Sequence, residues 1–363
     1  MRSSRLGIAS GAAALTAVLA LSACGGGAAG ADSENADLSV VTSTNVYADI
    51  VSQVAGDFAK VTAVIDDPNQ DPHSYEATTQ DRLKLSKADL VVQNGGGYDS
   101  FMTTMLEASD AEVDTIDTVS ISGLPGSEDV GNEPHDHGEE EAHGGGHVDK
   151  HGKEEAHSHE HEDNGHDHGE EEGHDHGEES HDHEHGEFNE HLWYSVPTMT
   201  KLVDEVATHL GEAEPEHKDD FAANADDYKK TLEKLQAQID DAKAEHEGDE
   251  VAATEPVPLW LFEDMGLKNI TSDEFLEAVE EGNDVPPLVL KKAEEQISSG
   301  EAVLLGYNTQ AAGPQAEQLK STAEKSDVPV VDLGETMPAD ARYADWMGDY
   351  ITEISTALEG HEH

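Results

Sequence analysis

Leu38-Ser39-Val40-Val41-Thr42-Ser43-Thr44 is a short β-rich run, and residues 46–55 behind it carry apolar side chains at helical spacing. A strand that feeds a helix is the repeating unit of a parallel sheet, since a crossover must return the chain before the next parallel strand can pair. The pattern recurs as strand 60–65, helix 80–86, strand 88–93, helix 100–108 and strand 112–116. Residues 196–210 then read as a helix. Residues 215–246 read as one long polar helix with Phe221, Tyr228, Leu232, Leu235 and Ile239 along one side. At about 1.5 Å per residue it would span roughly 45 Å, more than one lobe needs. A second alternating set follows: strand 250–253, helix 258–265, strand 268–270, helix 288–298, strand 302–307, helix 312–325, strand 328–332 and helix 343–358. The expected fold class is therefore α/β, with two parallel-sheet lobes, residues 38–214 and 248–363, joined by one long rigid helix at 215–247.

Between residues 134 and 188 this order breaks down into histidine, aspartate, glutamate and glycine. His-Asp-His-Gly-Glu-Glu starts at His135, His166 and His174, and fifteen of the 22 histidines fall from His135 to His185. No apolar face can be drawn through this stretch, so residues 127–187 are expected to form a disordered insertion within the first lobe. Imidazole is a common ligand for transition metals, and its dense interleaving with carboxylates points to metal handling rather than to a merely solvated acidic linker.

Met1-Arg2-Ser3-Ser4-Arg5 is basic, residues 6–21 are apolar, and Ser22-Ala23-Cys24 precedes a glycine-rich run. This resembles the bacterial lipoprotein signal, which implies removal of residues 1–23, a lipid on Cys24 and a flexible tether over 24–37. Cys24 is the only cysteine, so no internal disulfide competes for it. The formal charge is −60, and residues 128–187 hold 23 acids and 2 lysines, so the body outside them is acidic too. That balance argues against nucleic acid and anionic lipid as partners and favours cations, although a solubility adaptation explains the body charge equally well.

Two histidines outside the insertion stand where a site is built. His73 lies in Asp71-Pro72-His73-Ser74-Tyr75-Glu76, between a strand and a helix, on the loop side of the sheet where ligands of open α/β folds bind. His191 lies in Asn189-Glu190-His191-Leu192-Trp193-Tyr194, where order returns, and the aromatic pair predicts a packed, water-poor surrounding. No His-Glu-x-x-His helix, nucleophile elbow or phosphate loop is present, and Asn308-Thr309-Gln310 reads as a strand-ending turn. The chain is therefore not expected to be an enzyme.

In this order, the Asp-Pro-His-Ser-Tyr-Glu segment, the histidine-rich insertion, Glu-His-Leu-Trp-Tyr-Ser, the long polar helix and the second α/β lobe resemble the zinc- and manganese-binding receptor lipoproteins of bacterial ABC importers. The resemblance implies one metal ion held in the cleft by two residues from each lobe, with His73 and His191 as the first lobe's pair. In the second lobe, Glu255 of Ala253-Thr254-Glu255-Pro256 occupies a position where zinc-type members carry histidine and manganese-type members a carboxylate. The family's last ligand is an acid near the final strand, for which Asp332 and Glu335 compete. Glu335 is preferred, because Asp332 falls within the apolar strand run. Two imidazoles and two carboxylates suit zinc, and also manganese or ferrous iron. The loop histidines favour Zn2+, with Mn2+ as the alternative. The resemblance further implies a lipid-anchored monomer on the extracytoplasmic face of the cell membrane that delivers its ion to an importer permease. A metal buffer or adhesin without a transport role is the competing expectation.

Overall fold

The computed structural model describes residues 38–109, 113–130, 188–310 and 313–360. Residues 1–37, which hold the expected signal, Cys24 and the expected tether, and the histidine-rich run 131–187 lie outside the described residues.

The first lobe runs β1 (Leu38–Thr44), α1 (Asn45–Ala55), β2 (Ala59–Ile65), α2 (Thr79–Leu85), β3 (Leu90–Gln93), α3 (Ser100–Glu107), β4 (Asp114–Asp117), α4 (Thr118–Ser122) and α5 (Ser127–Val130). Beyond the histidine-rich run come a 3-10 turn (Leu192–Tyr194) and α6 (Val196–Ala213), and then the long helix α7 (Lys218–His246). The second lobe runs β5 (Glu250–Ala253), α8 (Leu259–Asp264), β6 (Lys268–Asn269), α9 (Asp273–Glu280), α10 (Pro287–Ser298), β7 (Leu305–Asn308), α11 (Pro314–Lys325), β8 (Val330–Leu333) and α12 (Tyr343–Glu359).

Each lobe holds one four-stranded, all-parallel sheet, ordered β2-β1-β3-β4 in the first and β6-β5-β7-β8 in the second. The order is the same in both: the lobe's first strand is central, and the chain crosses to opposite sides of it. Loops leaving the C-terminal ends of such strands open a crevice there. Both faces of the first sheet are covered at its central strands, so β1 and β3 bury side chains of both parities. Leu38 and Val40 of β1 point into the main core, whereas Val41 joins Leu85, Phe101, Met102 and Met105 on the other face.

α7 holds the lobes together. Its buried residues, Phe221, Ala225, Tyr228, Leu232, Leu235, Ile239 and Ala242, recur every three or four positions and form one stripe. That stripe packs on α1 and α6 of the first lobe and on α8 and α12 of the second, so one hydrophobic core continues through both lobes. Fully burying a side chain such as Phe221 or Ile239 contributes about 1.5–3 kcal/mol.

Several boundaries differ from the sequence expectation. The long helix begins at Lys218 behind a 3-10 turn, Pro215–His217. Strands β3, β4, β7 and β8 start two or three residues later than expected, with the β3–β4 ladder beginning at Leu90 and Asp114 and the β7–β8 ladder at Leu305 and Val330. Residues 127–130, expected to open the disordered stretch, form α5. Helix α9 was not expected at all: its apolar residues Phe275, Leu276 and Val279 are few among acids, and burial against the lobe decides its conformation. Among the described residues, no helix is long and apolar enough to cross a membrane.

Candidate metal centre

The loop from β2 to α2 is built by two aspartates. Asp71 folds its start, accepting from the His73 N–H at 2.9 Å and from Ser74 Oγ at 2.7 Å. Asp81 anchors its end: it forms a capping box with Thr78 and accepts from Tyr75 Oη at 2.8 Å. Burial opposes ionisation of Asp81, but the Thr78 and Tyr75 hydrogen bonds outweigh it and hold its pKa down to about 2. Between these fixed ends His73 turns its ring toward the seam, with its side chain 35% exposed.

His191 is held differently. It is 1% exposed, directly before the 3-10 turn, with its ring edge-on to Trp193 at 5.3 Å between centroids. Asn189 Nδ2 donates to the Pro256 carbonyl at 2.9 Å, which turns Asn189 Oδ1 toward His191, where it lies 2.8 Å from Nδ1. Nδ1 must therefore be the protonated nitrogen, leaving a lone pair on Nε2. Nε2 is buried and has no hydrogen-bond partner among the described residues. Burial, reinforced by His73 and opposed by Glu335, lowers the His191 pKa to about 4, so the ring is neutral at physiological pH.

Across the seam, Glu335 follows β8 and brings its carboxylate to 3.5 Å from His73 Nε2. Tyr98 Oη donates to Glu335 Oε1 at 3.2 Å. One donor atom each from His73, His191 and Glu335 lies within 4.8 Å of the others, which makes these three a group able to hold one ion. Asp332 does not join them; it sits within β8, exposed, and pairs with Lys320 at 2.9 Å. Glu255 is 2% exposed just past β5, with one carboxylate oxygen accepting from Asn308 and the other, Oε1, buried without a partner among the described residues. It lies outside the group of three, in a position set by Asn308.

The centre is rich in carboxylate and short of positive charge. Burial alone would lower the His73 pKa, but the hydrogen bond and charge of Glu335, with Glu190, raise it to about 9. Glu190 Oε1 is 3.2 Å from His73 Nδ1, so His73 bridges two acids and leaves Nε2 toward the seam. A carboxylate behind a ligating imidazole fixes the ring's orientation and strengthens it as a donor. Burial raises the pKa of Glu190 to about 8 against the attraction of His73, and that of Glu255 to about 8 against the Asn308 hydrogen bond. Such shifts mark a site where a divalent cation would replace protons.

Sequence reasoning missed Glu190, Asn189, Tyr98, Asn308 and Glu280, whose Oε1 lies 3.8 Å from His191 Nε2. One local signal was available for Tyr98: Gly95-Gly96-Gly97 just after β3 all have positive φ, and they fold a tight loop that no bulkier residues would allow.

The sequence pattern of the family described as zinc-uptake complex component A, periplasmic (ZnuA), matches residues 40–357. The chain belongs to this family. The manganese-binding lipoprotein MntA of Bacillus subtilis (strain 168) is 25% identical over 224 residues, 62% of this chain and 56% of that protein. The zinc-binding lipoprotein AdcA of Streptococcus pneumoniae serotype 4 is 29% identical over 212 residues, 57% of this chain and 32% of that protein. The chain thus spans about half the length, or less, of these curated relatives. Among solved structures, the substrate-binding protein FpvC of Pseudomonas aeruginosa in complex with Ni2+ aligns with a TM-score of 0.61 at 18% identity, covering 90% of this chain and 98% of that one. The periplasmic zinc-binding protein TroA of Treponema pallidum aligns with a TM-score of 0.60 at 17% identity, covering 88% and 99%. At such identity the likeness shows a shared two-lobed fold.

Proposed function

We propose that this protein is the extracytoplasmic receptor of an ABC-type metal importer, capturing a divalent cation at the seam between its lobes and handing it to the permease. The observation that carries this reading is the convergence of His73 and His191 from one lobe with Glu335 from the other. Zinc is the proposed cargo. The His191 lone pair, a His73 ring braced by Glu190 and a buried carboxylate suit zinc, and the fifteen histidines from His135 to His185 would serve as a weak collector that raises the local metal concentration. Manganese is the second reading, supported by Glu255 where a histidine would favour zinc and by relatives named for either metal.

Glu255 is proposed as the second lobe's further ligand, engaging through its unpartnered Oε1 once an ion is present. A lipid on Cys24 would tether the protein to the outer face of the membrane, where it acts as a monomer. Elemental analysis of protein purified without added metal, followed by zinc-manganese competition, tests the assignment. Zinc is expected to copurify near one tight equivalent and to displace manganese, whereas retention of manganese against equimolar zinc would reverse it.

A further inference from the structure

Glu280 ends α9, a helix to which neither the motifs nor the resemblance assigns a role. Phe275, Leu276 and Val279 are buried and fix the helix against the second lobe, and Gly282, with φ +68°, turns the chain away directly after it. The last-turn carboxylate is thereby held at the seam. Its Oε1 lies 3.8 Å from His191 Nε2, too far for a hydrogen bond. Two donors each about 2.1 Å from one ion stand about 3–4 Å apart at ordinary ligand angles. The His191–Glu280 separation falls in that range, as does the 3.5 Å between His73 Nε2 and Glu335 Oε1.

The chemistry of the pair points the same way. Asn189 forces the proton of His191 onto Nδ1, so Nε2 presents a buried lone pair. A lone pair facing a carboxylate oxygen is unfavourable unless a cation comes between them. We propose that Glu280 is an additional oxygen ligand to the ion, and that it sets the balance between zinc and manganese. The proposal rests on reading the seam as a metal site. With Glu335 and Glu255, Glu280 would give three carboxylates to two imidazoles, an oxygen-rich set that a larger, higher-coordinate ion such as Mn2+ exploits more fully than four-coordinate Zn2+. Glu280 thus shifts a site that both metals can use further toward manganese.

The test uses the full chain and its Glu280→Gln, Glu281→Gln and His191→Ala variants, with Zn2+, Mn2+ and Co2+ as probes at one equivalent. Glu280→Gln is expected to weaken Mn2+ binding at least about tenfold, to weaken Zn2+ binding much less, and to intensify the Co2+ d–d absorption as coordination number drops. Glu281→Gln removes the same charge from an exposed neighbour and is expected to change none of these. Unchanged Mn2+ affinity and Co2+ spectrum in Glu280→Gln, or equal losses in Glu281→Gln, would overturn the assignment while His191→Ala still abolished tight binding. If His191→Ala also bound as the parent does, the metal-site reading itself would fall.

Discussion

His73 and His191 arrive at the same seam in opposite protonation states. His191 is buried and neutral, with its pKa lowered to about 4 by burial, so its Nε2 can take a metal without first losing a proton. His73, between Glu335 and Glu190, has a pKa raised to about 9 and holds a proton at neutral pH that a metal must displace. The sign follows: affinity should rise as pH climbs toward about 9 and fall on acidification. Calorimetry in buffers of different ionisation enthalpy should record release of about one proton or more per ion at pH 7, and equal tight-site affinity at pH 5 and pH 7.5 would contradict the histidine ligands. His73 and His191 were legible because each sits in a short contiguous motif. Glu335 was preferred over Asp332 because Asp332 falls within the apolar strand run, and the structure ends β8 at Leu333 with Asp332 turned outward to Lys320. Glu190, Glu280 and Asn308 were not, because only tertiary packing carries Glu280 to His191 and Asn308 to Glu255.

Helix α7 shows how much one element's pattern can say. Its stripe from Phe221 to Ala242 was readable because the spacing repeats over many turns, and the structure lays that stripe across both lobes. Ile239 is fully buried there, so Ile239→Ala should destabilise the fold by about 2–5 kcal/mol. Thermal or denaturant unfolding checks this, and a loss below about 0.5 kcal/mol, as at ordinary surface sites, would mean that the stripe is not core. Shorter elements were read less well. β7 and β8 begin later than expected, and α9 escaped notice because a few apolar residues among acids carry no period strong enough to outweigh the context.

At the scale of the molecule, the lobes meet through more than the candidate ligands. Asp49 on α1 accepts from Arg342 Nη1 at 2.6 Å and from the Tyr343 N–H at 2.9 Å. Tyr194 Oη donates to the Gly334 carbonyl at 2.7 Å, and Asn45 Nδ2 donates to that of Met337 at 2.8 Å. These contacts bring His73 and Glu335 together before any ion binds, which spares the chain entropy that ligands not held by folded lobes would lose on binding. Without metal, the same seam costs stability at high pH. The folded-state pKa of His73 rises to about 9 and those of Glu190 and Glu255 to about 8, so the native state holds protons that the unfolded chain has lost. Between pH 6.5, above which His191 no longer contributes, and pH 9, the melting temperature of the metal-free protein should fall. A rise over that window would contradict the electrostatic account.

The most direct test of the seam as the tight metal site is a zinc titration of protein lacking residues 131–187, alongside the same variant carrying His73→Ala and His191→Ala. The loop-deleted protein should keep one tight equivalent, and the double substitution should abolish it. Loss of the tight equivalent on loop deletion alone, or its survival in the double variant, would contradict the account.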